Sequence, residues 1–525
     1  MNLGQVARLL AGFTLFFSLA QLIPLAFALY AEERGATAFD PVNGFTASFA
    51  IGLAMSLLLW MAGRARRNDD FFRRESLAVV GLAWVVAGSL GALPFEWSGA
   101  ITNTADALFE SISGLTTTGA SILGSGDNPK VEDLPQSLLL WRSLLQWIGG
   151  VGVIFVFLVL LPTMGVTGKN LLSSEQVGVA AGDLRPRMRD LARMLLKVYL
   201  FLTIAEVLLL RLAGMESWFD AICHSFTTIS TAGFSTKNSS IAAFDSLGIE
   251  LIIIVFMFLG GCNFALLFTV ISNRFRAPNM PVRVAELRTY IYLVLGLIVA
   301  MTLILRLWGF QLPDDVQGGV RDYGSIWQCL RDASFNVMSI LTSTGYSSAN
   351  YETWPKAALI LLVFCMFVGA CSGSTAGGMK VLRLMVSVKL VTNMLRLFVR
   401  PKSVQRVKVG QNVVAEAAIT SIAALILMWF IGVAIGTMAL ALDERLDILS
   451  CFTASVSMMM CTGPAITEVT SALAPNNLGG IDLGPAGGYG DLYGWSKVLM
   501  SFQMILGRLE LLVPAAMFLP ALWKR

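Results

Sequence analysis

The sequence predicts an all-α polytopic membrane protein: four parallel helix/pore-loop/helix repeats in a pseudo-fourfold arrangement, preceded by two N-terminal transmembrane helices. Three observations lead to this fold class: the composition, a series of long apolar runs, and a motif that recurs at quarter-chain intervals. Hydrophobic residues make up 56% of the 525 residues and charged residues only 14%. Because soluble domains carry about 25% charged residues, a chain this apolar must have lipid as its solvent.

Apolar runs long enough to cross a hydrocarbon core of about 30 Å define the predicted spans. They cover residues 9–30, 45–61, 77–95, 138–162, 194–212, 247–271, 289–307, 357–398, 413–442 and 498–523. We interpret all ten as helices, since open strands cannot satisfy their backbone hydrogen bonds in lipid. The run 357–398 is interrupted.

Basic residues predict the orientation. Five Arg lie in residues 64–74, four Arg in 274–288, and further Arg and Lys in 396–408, whereas 463–494 contains no Lys or Arg. If each long run crosses once, the three basic connections share one side. By the positive-inside rule this side, with both termini, is cytoplasmic.

A Thr/Ser-Gly motif supplies the repeat. Its glycines are Gly119, Gly233, Gly345 and Gly463, separated by 114, 112 and 118 residues. In the first three copies an Asp lies 13 residues before the glycine, at Asp106, Asp220 and Asp332, whereas Asp447 lies 16 residues before the fourth glycine. Such regular spacing indicates fourfold internal repetition.

Each repeat is predicted to contain a span, a short apolar segment that ends in the motif, and a second span. Segments of 10 to 14 apolar residues are too short to cross and form re-entrant half-helices. Two crossings return the chain to its starting side, so successive repeats are parallel and can ring an axis. The predicted boundaries are 1–70 for the two N-terminal helices, then 71–185, 186–285, 286–405 and 406–525 for the four repeats.

The four motifs have the chemistry of a cation filter. A half-helix that enters from outside points its partially negative C-terminal end at the membrane centre, glycine permits unusual backbone dihedrals, and a carbonyl ring can replace the hydration shell of K⁺. The predicted filter residues are Thr116, Thr117, Thr118, Gly119, Ser230, Thr231, Ala232, Gly233, Thr342, Ser343, Thr344, Gly345, Cys461, Thr462 and Gly463. Close helix packing by small residues is the alternative, which four copies at this spacing disfavour.

Small residues also break the second helix of the third repeat, where residues 369–378 are all Gly, Ala, Ser, Thr or Cys. Non-helical backbone at membrane depth is tolerated where it is buried or lines a wet cavity. We therefore expect this segment to face the conduction path just inside the filter. A close-packing stripe is the alternative.

Four segments resemble the second-helix signatures of the TrkH/TrkG/KtrB/HKT superfamily of potassium transport proteins: 146–150, 259–264, 371–380 and 507–510. The resemblance covers essentially the whole chain, and the two extra N-terminal spans are similar to those of TrkH. It implies a K⁺-translocating subunit of a bacterial-type inner membrane, often a homodimer, regulated by a cytosolic nucleotide-binding ring of the TrkA type. It implies no organic cofactor and no enzymatic activity.

The resemblance further implies that the broken segment is an intramembrane gate, formed by Ala370, Cys371, Ser372, Gly373, Ser374, Thr375, Ala376, Gly377 and Gly378. Lys380 is carried over only as a neighbour. Arg508 lies inside the last apolar run, where an unpaired guanidinium is costly. We expect unpaired carbonyls of this gate loop to accept its hydrogen bonds, so that Arg508 holds the loop across the path.

Two departures and two alternatives remain. The chain has Met459-Met460-Cys461-Thr462 where TrkH proteins commonly carry Asn-rich residues, so the fourth filter register is open, and 476–479 could be proposed instead. A Na⁺-permeable or Na⁺/H⁺-coupled potassium symporter of the same superfamily is the main alternative. Gly119 argues against Na⁺ preference, which in the HKT branch accompanies Ser at this position. An intramembrane enzyme would need converging His or carboxylate groups.

The remaining ionisable residues have weaker signals. We expect Asp106, Glu110, Asp220 and Asp332 to stabilise the N-terminal ends of the half-helices, or to concentrate cations at the outer mouth. His224 is expected to pack within a half-helix. Glu206 lies in a span, where it could act in ion coupling or pair with Arg211.

Overall fold

The computed structural model describes residues 2–31, 38–64, 73–160, 184–271, 281–308, 311–313, 320–401, 406–410, 412–467, 481–485 and 487–520. It is an all-helical membrane protein with two very short hairpins. The first three helices are α1 (Leu3–Ala20), α2 (Leu22–Tyr30) and α3 (Pro41–Gly63). Repeat 1 contains α4 (Arg73–Trp97), α5 (Thr104–Leu115) and α6 (Gln136–Leu160).

Each later repeat begins with a long helix followed by a short one. Repeat 2 contains α7 (Leu184–Leu212), α8 (Trp218–Ile229), α9 (Leu247–Gly260) and α10 (Phe264–Ile271). Repeat 3 contains α11 (Pro281–Trp308), β1 (Gln311–Pro313), β2 (Val320–Asp322), α12 (Ile326–Leu341), α13 (Lys356–Val368) and α14 (Val381–Val399). Repeat 4 contains β3 (Lys408–Val409), β4 (Asn412–Val413), α15 (Glu416–Leu440), α16 (Ile448–Met460), α17 (Gly494–Arg508) and α18 (Leu512–Met517). Both hairpins, β1–β2 and β3–β4, are antiparallel.

Local sequence sets where the short helices begin. The side chains of Asn103, Ser217 and Asp447 accept hydrogen bonds from backbone N–H groups in the first turns of α5, α8 and α16. These caps satisfy donors that a helix start leaves unpaired. Asp447, which stands out of register with the earlier Asp residues, is therefore the N-cap of the fourth short helix.

Helix packing closes the repeats into a ring. Within each repeat the first helix packs on the short one: α4 on α5, α7 on α8, α11 on α12 and α15 on α16. The second helix of each repeat then packs on the short helix of the next: α6 on α8, α9 on α12, α13 on α16, and α17 back on α5. The N-terminal helices attach to repeat 1, where the rings of Phe17 and Phe45 meet Trp141 edge-on at 5.6 and 6.1 Å.

Three of the predicted spans are discontinuous, two more than expected. The break at 369–380 between α13 and α14 was predicted. The run 247–271 was expected to be one span but bends by 108° between α9 and α10, and the last run stops at Arg508, with Glu510 and Leu511 at φ 57° and 54°. Among the described residues, five helices are long and apolar enough to cross a membrane, or six if the bent pair is one span.

Candidate ion pathway

The four motif segments share one backbone conformation. The residue two before each glycine has a left-handed φ: Thr117 53°, Thr231 52°, Ser343 54° and Cys461 54°. The glycines follow with φ of 82°, 80°, 81° and 103° at Gly119, Gly233, Gly345 and Gly463. Left-handed φ is uncommon for non-glycine residues, so its recurrence at one register position defines equivalent segments. Cys461 obeys the pattern although its sequence departs from the other three, while the competing segment 476–479 lies outside the described residues.

The glycines lie against one another in cyclic order. A Cβ built on Gly119 would overlap the carbonyl oxygen of Ala232, and one on Gly233 that of Thr344. Likewise, a Cβ on Gly345 would overlap the oxygen of Thr462, and one on Gly463 that of Thr118. Each glycine thus meets the carbonyl of the residue before the next repeat's glycine. Glycine is needed here for close backbone approach as well as for its φ.

Hydroxyl residues inside the short helices hold these segments, a feature that sequence reasoning missed. The N–H groups of Thr118, Ala232, Thr344 and Thr462 donate to the carbonyls of Ser113, Thr227, Ser339 and Ser457 at 2.9, 2.9, 2.8 and 2.9 Å. In repeats 1 and 3 the hydroxyl of the same serine also donates to the residue after the glycine, at 2.6 Å in both cases. The recoverable signal was a Ser or Thr six residues before every motif glycine.

An open cavity lies on one side of the ring. It encloses about 630 Å³ of empty space, and all four motif glycines line it together with Arg142, Phe234 and Tyr489. The Tyr489 hydroxyl donates to the Gly463 carbonyl at 2.9 Å, and its N–H donates to the Ser121 carbonyl at 3.0 Å. The segment before α17 therefore folds against the mouth of this cavity.

A carboxyl pair fastens that segment to repeat 3. Glu352 accepts a hydrogen bond from the Thr467 N–H at 2.8 Å, and a Cβ on Gly484 would overlap its carboxylate. Burial, and secondarily the neighbouring Asp482, raises the pKa of Glu352 to about 9. A carboxyl group held in this way is protonated at neutral pH.

The predicted gate loop crosses the opposite side of the ring. Its residues touch three repeats at positions just before the motif glycines: Thr375 Oγ1 donates to Ile229 O at 3.0 Å, Gly377 N to Ser343 Oγ at 2.5 Å, and Gly378 N to Met460 O at 3.0 Å. Thr375 is fully buried. The loop is thus in contact with the ring, on the side away from the cavity.

Arg508 contacts this loop. Its Nη1 donates to the Thr375 carbonyl at 2.8 Å, and the side chain is buried. The expected hydrogen bond to a loop carbonyl is present. Glu510, two residues later, pairs instead with Arg383 at 2.6 Å. Lys380, which sequence reasoning treated only as a neighbour, turns its ammonium group back to the Ala376 carbonyl and lies 3.5 Å from Ser374 Oγ.

Two further residues anchor the loop. Glu286 on α11 accepts hydrogen bonds from Ser372 N at 2.6 Å and Leu382 N at 3.2 Å. Asn263, at the break between α9 and α10, donates to the Ser372 carbonyl at 2.5 Å. The unexpected break in repeat 2 therefore supplies a support for the loop of repeat 3.

The other ionisable residues have mostly structural partners. Asp106 pairs with Lys497 at 2.5 Å, Glu110 pairs with Arg142 at 2.8 Å, Asp220 accepts from Thr236 Oγ1 at 2.6 Å, and Asp332 accepts from Gln328 Nε2 at 3.0 Å. His224 packs as expected, with Nδ1 2.8 Å from Asp220 O and Nε2 3.0 Å from Ser235 Oγ.

The suggested pairing of Glu206 with Arg211 is wrong. Arg211 donates to the Met215 carbonyl and lies over the Trp218 ring at 4.9 Å. The buried carboxylate oxygens of Glu206 have no hydrogen-bond partner among the described residues. One helical turn between the two residues does not make a pair, because the guanidinium turns toward the helix end, where free carbonyls accept its donors.

Known proteins are similar along the entire chain. The TrkH family model, described as a cation transport protein, matches residues 42–523. A Trk system potassium uptake protein TrkH from Salmonella typhimurium is 33% identical, and that from Escherichia coli is 32% identical, with 100% of both chains covered in each comparison. Trk system potassium uptake protein TrkG from Escherichia coli is 30% identical, covering 99% of both chains.

A solved structure agrees with these matches. The crystal structure of the potassium transporter TrkH from Vibrio parahaemolyticus superimposes with a TM-score of 0.82 and 28% identity, covering 100% of both chains. The match includes the two N-terminal helices and all four repeats, since no part of the chain is left over. The chain therefore belongs to the TrkH family of cation transport proteins.

Proposed function

We propose that this protein is a channel-like potassium uptake subunit that conducts K⁺ through one central pore. The observation that carries the proposal is the closed ring of four equivalent segments, whose glycines all line one cavity. Ring geometry of this kind lets backbone carbonyls replace water around a dehydrated K⁺. The filter is the fifteen residues predicted from the motifs, from Thr116 to Gly463, and K⁺ is both their ligand and the cargo. The family and the printed names of its relatives support K⁺ as the transported ion.

The gate of the proposed pathway is residues 370–378 together with Arg508. The loop contacts the ring from three repeats, and the Arg508 hydrogen bond to Thr375 ties it to α17. A guanidinium group beside the path opposes a cation electrostatically, most strongly where water is excluded. Opening then requires the loop to leave Arg508, and this movement is a natural point of control.

The assembly follows from the family. The protein lies in the inner membrane with both termini cytoplasmic, forms a homodimer, and is regulated by a cytosolic nucleotide-binding ring of the TrkA type. The absence of basic residues from 463–494 supports the orientation. Its work is transport, as in the rest of its family, with no covalent chemistry.

Flux through liposomes tests the function. Purified protein is reconstituted under imposed K⁺ or Na⁺ gradients, and the membrane potential that develops in K⁺/Na⁺ mixtures gives the permeability ratio. We expect K⁺ flux that exceeds Na⁺ flux and follows the electrochemical gradient. Equal permeability would favour the Na⁺-permeable alternative, while K⁺ accumulation that requires a Na⁺ or H⁺ gradient would favour the symporter. Protein-free liposomes and a Gly296→Ser variant, where an added Cβ meets open space, are the controls.

A further inference from the structure

One buried amide distinguishes the filter segment of repeat 2 from the other three. Gln146, fully buried on α6, donates from Nε2 to the Ala232 carbonyl at 2.8 Å. Its Oε1 accepts from the Phe234 N–H at 3.1 Å. The two bonds bracket Gly233, so one side chain from repeat 1 grips both sides of the filter glycine of repeat 2.

The gripped carbonyl is also a point of contact between repeats. Ala232 O is the atom that a Cβ on Gly119 would overlap. This oxygen therefore lies between the Gln146 amide and the Gly119 backbone, and both belong to repeat 1. By fixing it, Gln146 sets how closely the first and second quarters of the ring approach.

Arg142 adds a second hold from the same face of α6. It lies one helical turn before Gln146, a spacing that places both side chains on one face. Its Nη1 donates to Ser235 O at 3.2 Å, its Nη2 to Ser121 Oγ at 3.1 Å, and its guanidinium lies over the Phe234 ring at 4.0 Å. Residues 232–235 are thereby fastened to repeat 1 at several points.

The equivalent position carries methionine in the other repeats. A Cβ on Gly149, Gly260 or Gly507 meets the carbonyl four residues before the motif glycine of the same repeat, which sets the register of the second helices. Three residues before these glycines lie Gln146, Met257 and Met504, and the same sequence register gives Met366 before Gly369. The three methionines are buried. Because a thioether has no N–H donor, none of them can make the paired bonds that Gln146 makes.

We propose that Gln146 is a selectivity-determining positioning residue, which keeps the repeat 1–repeat 2 side of the filter at the width that favours K⁺. The inference rests on the proposed K⁺ filter and adds to it a residue outside the motif. Selectivity depends on either the size of the carbonyl ring or the number and strength of its dipoles. A clamp on Ala232 O controls both, because it holds the oxygen in place and engages one of its lone pairs.

The test is the permeability ratio of Gln146→Met, a change of similar volume that gives repeat 1 the residue of the other repeats. We expect the K⁺/Na⁺ ratio to fall about tenfold, which corresponds to about 1.4 kcal/mol. Gln146→Glu keeps an acceptor for the Phe234 N–H but loses the donor to Ala232, so its ratio should lie between those of the wild type and Gln146→Met. The matched control is Gln503→Met. Gln503 is also a buried glutamine on a second helix, but it bonds Ser455 Oγ at 2.9 Å and Gly432 O at 3.4 Å, away from the filter.

The outcomes separate this inference from the function beneath it. A wild-type protein without K⁺ preference would overturn the proposed function. If the wild type prefers K⁺ and Gln146→Met keeps the same ratio, the clamp alone is refuted. A fall in K⁺ and Na⁺ flux by one common factor would show a structural role only and also refute it. If Gln146→Met does not fold, the isosteric Gln146→Glu decides by the same criterion: an unchanged ratio refutes the clamp.

Discussion

Replacing Arg508 by Ala should open the proposed gate. The change removes the hydrogen bond from Nη1 to Thr375 O and the positive charge beside it. A hydrogen bond from a charged group contributes about 1.5 to 3 kcal/mol. Since 1.4 kcal/mol is a tenfold change in an equilibrium, the ratio of open to closed protein should rise about 10- to 150-fold. We expect K⁺ flux without the soluble partner to rise accordingly, while the K⁺/Na⁺ ratio stays constant because the filter is a separate element.

The variant should also fold. Nε and Nη2 of Arg508 have no hydrogen-bond partner among the described residues, so Ala removes a buried charge that is only partly compensated. Arg508→Lys keeps the charge but loses the planar fork, and its flux should be intermediate. Lys497→Met is the control: it removes a buried cation from the outer end of the same helix, where Nζ bonds Asp106 and Gly490. A folded Arg508→Ala protein with wild-type flux would make Arg508 a structural anchor and refute the gate assignment.

Three further predictions concern the ring, the loop and the outer carboxyl pair. Gly119→Ser should raise relative Na⁺ permeability, because its Cβ must push Ala232 O away; an unchanged reversal potential in this variant and in Gly233→Ser would count against a shared ring. Deleting part of 373–377 should increase partner-independent K⁺ flux, whereas folded protein with equal or lower flux would favour a packing stripe. Glu352 has a pKa raised to about 9, so its contribution to stability is complete below about pH 4.5 and is lost as pH rises through 9. Glu352→Gln should therefore flatten the fall in melting temperature over this range, and an equally steep fall would show that Glu352 is not its source.

The helix/half-helix/helix repeat could be predicted because it is written in composition and period. Run lengths near 20 and near 12 residues separate spans from half-helices, and the glycine spacing identified even Gly463, whose neighbours Met459 to Thr462 differ from the other motifs. The φ of Cys461 shows why: the backbone conformation depends on the tolerance of two positions for positive φ, while the side chains at the remaining positions can vary.

The breaks at Asn263 and at Leu509–Leu511 could not be predicted from the same signals. Both lie inside continuous apolar runs, and neither contains a proline. They arise from tertiary contacts: Asn263 caps α10 through hydrogen bonds to Ala265 N and Leu266 N while it donates to Ser372 O. A partner more than a hundred residues away leaves no trace in local periodicity. The supports at Gln146 and Glu286 are long-range for the same reason, although Gln146 stood within a recognised segment.

Asymmetry at two levels of the ring gives a reason for carrying four repeats in one chain. Three residues before the glycine of each second helix the repeats have Gln146, Met257, Met366 and Met504, and one residue after it they have Gly150, Gly261, Ala370 and Arg508. In a tetramer of identical subunits an arginine at the second position would appear four times around the axis. Mutual repulsion and four desolvation costs would then act together in a water-poor site. A single chain can place one guanidinium group there, and one hydrogen bond to Thr375 is a contact that a conformational change of ordinary size can break.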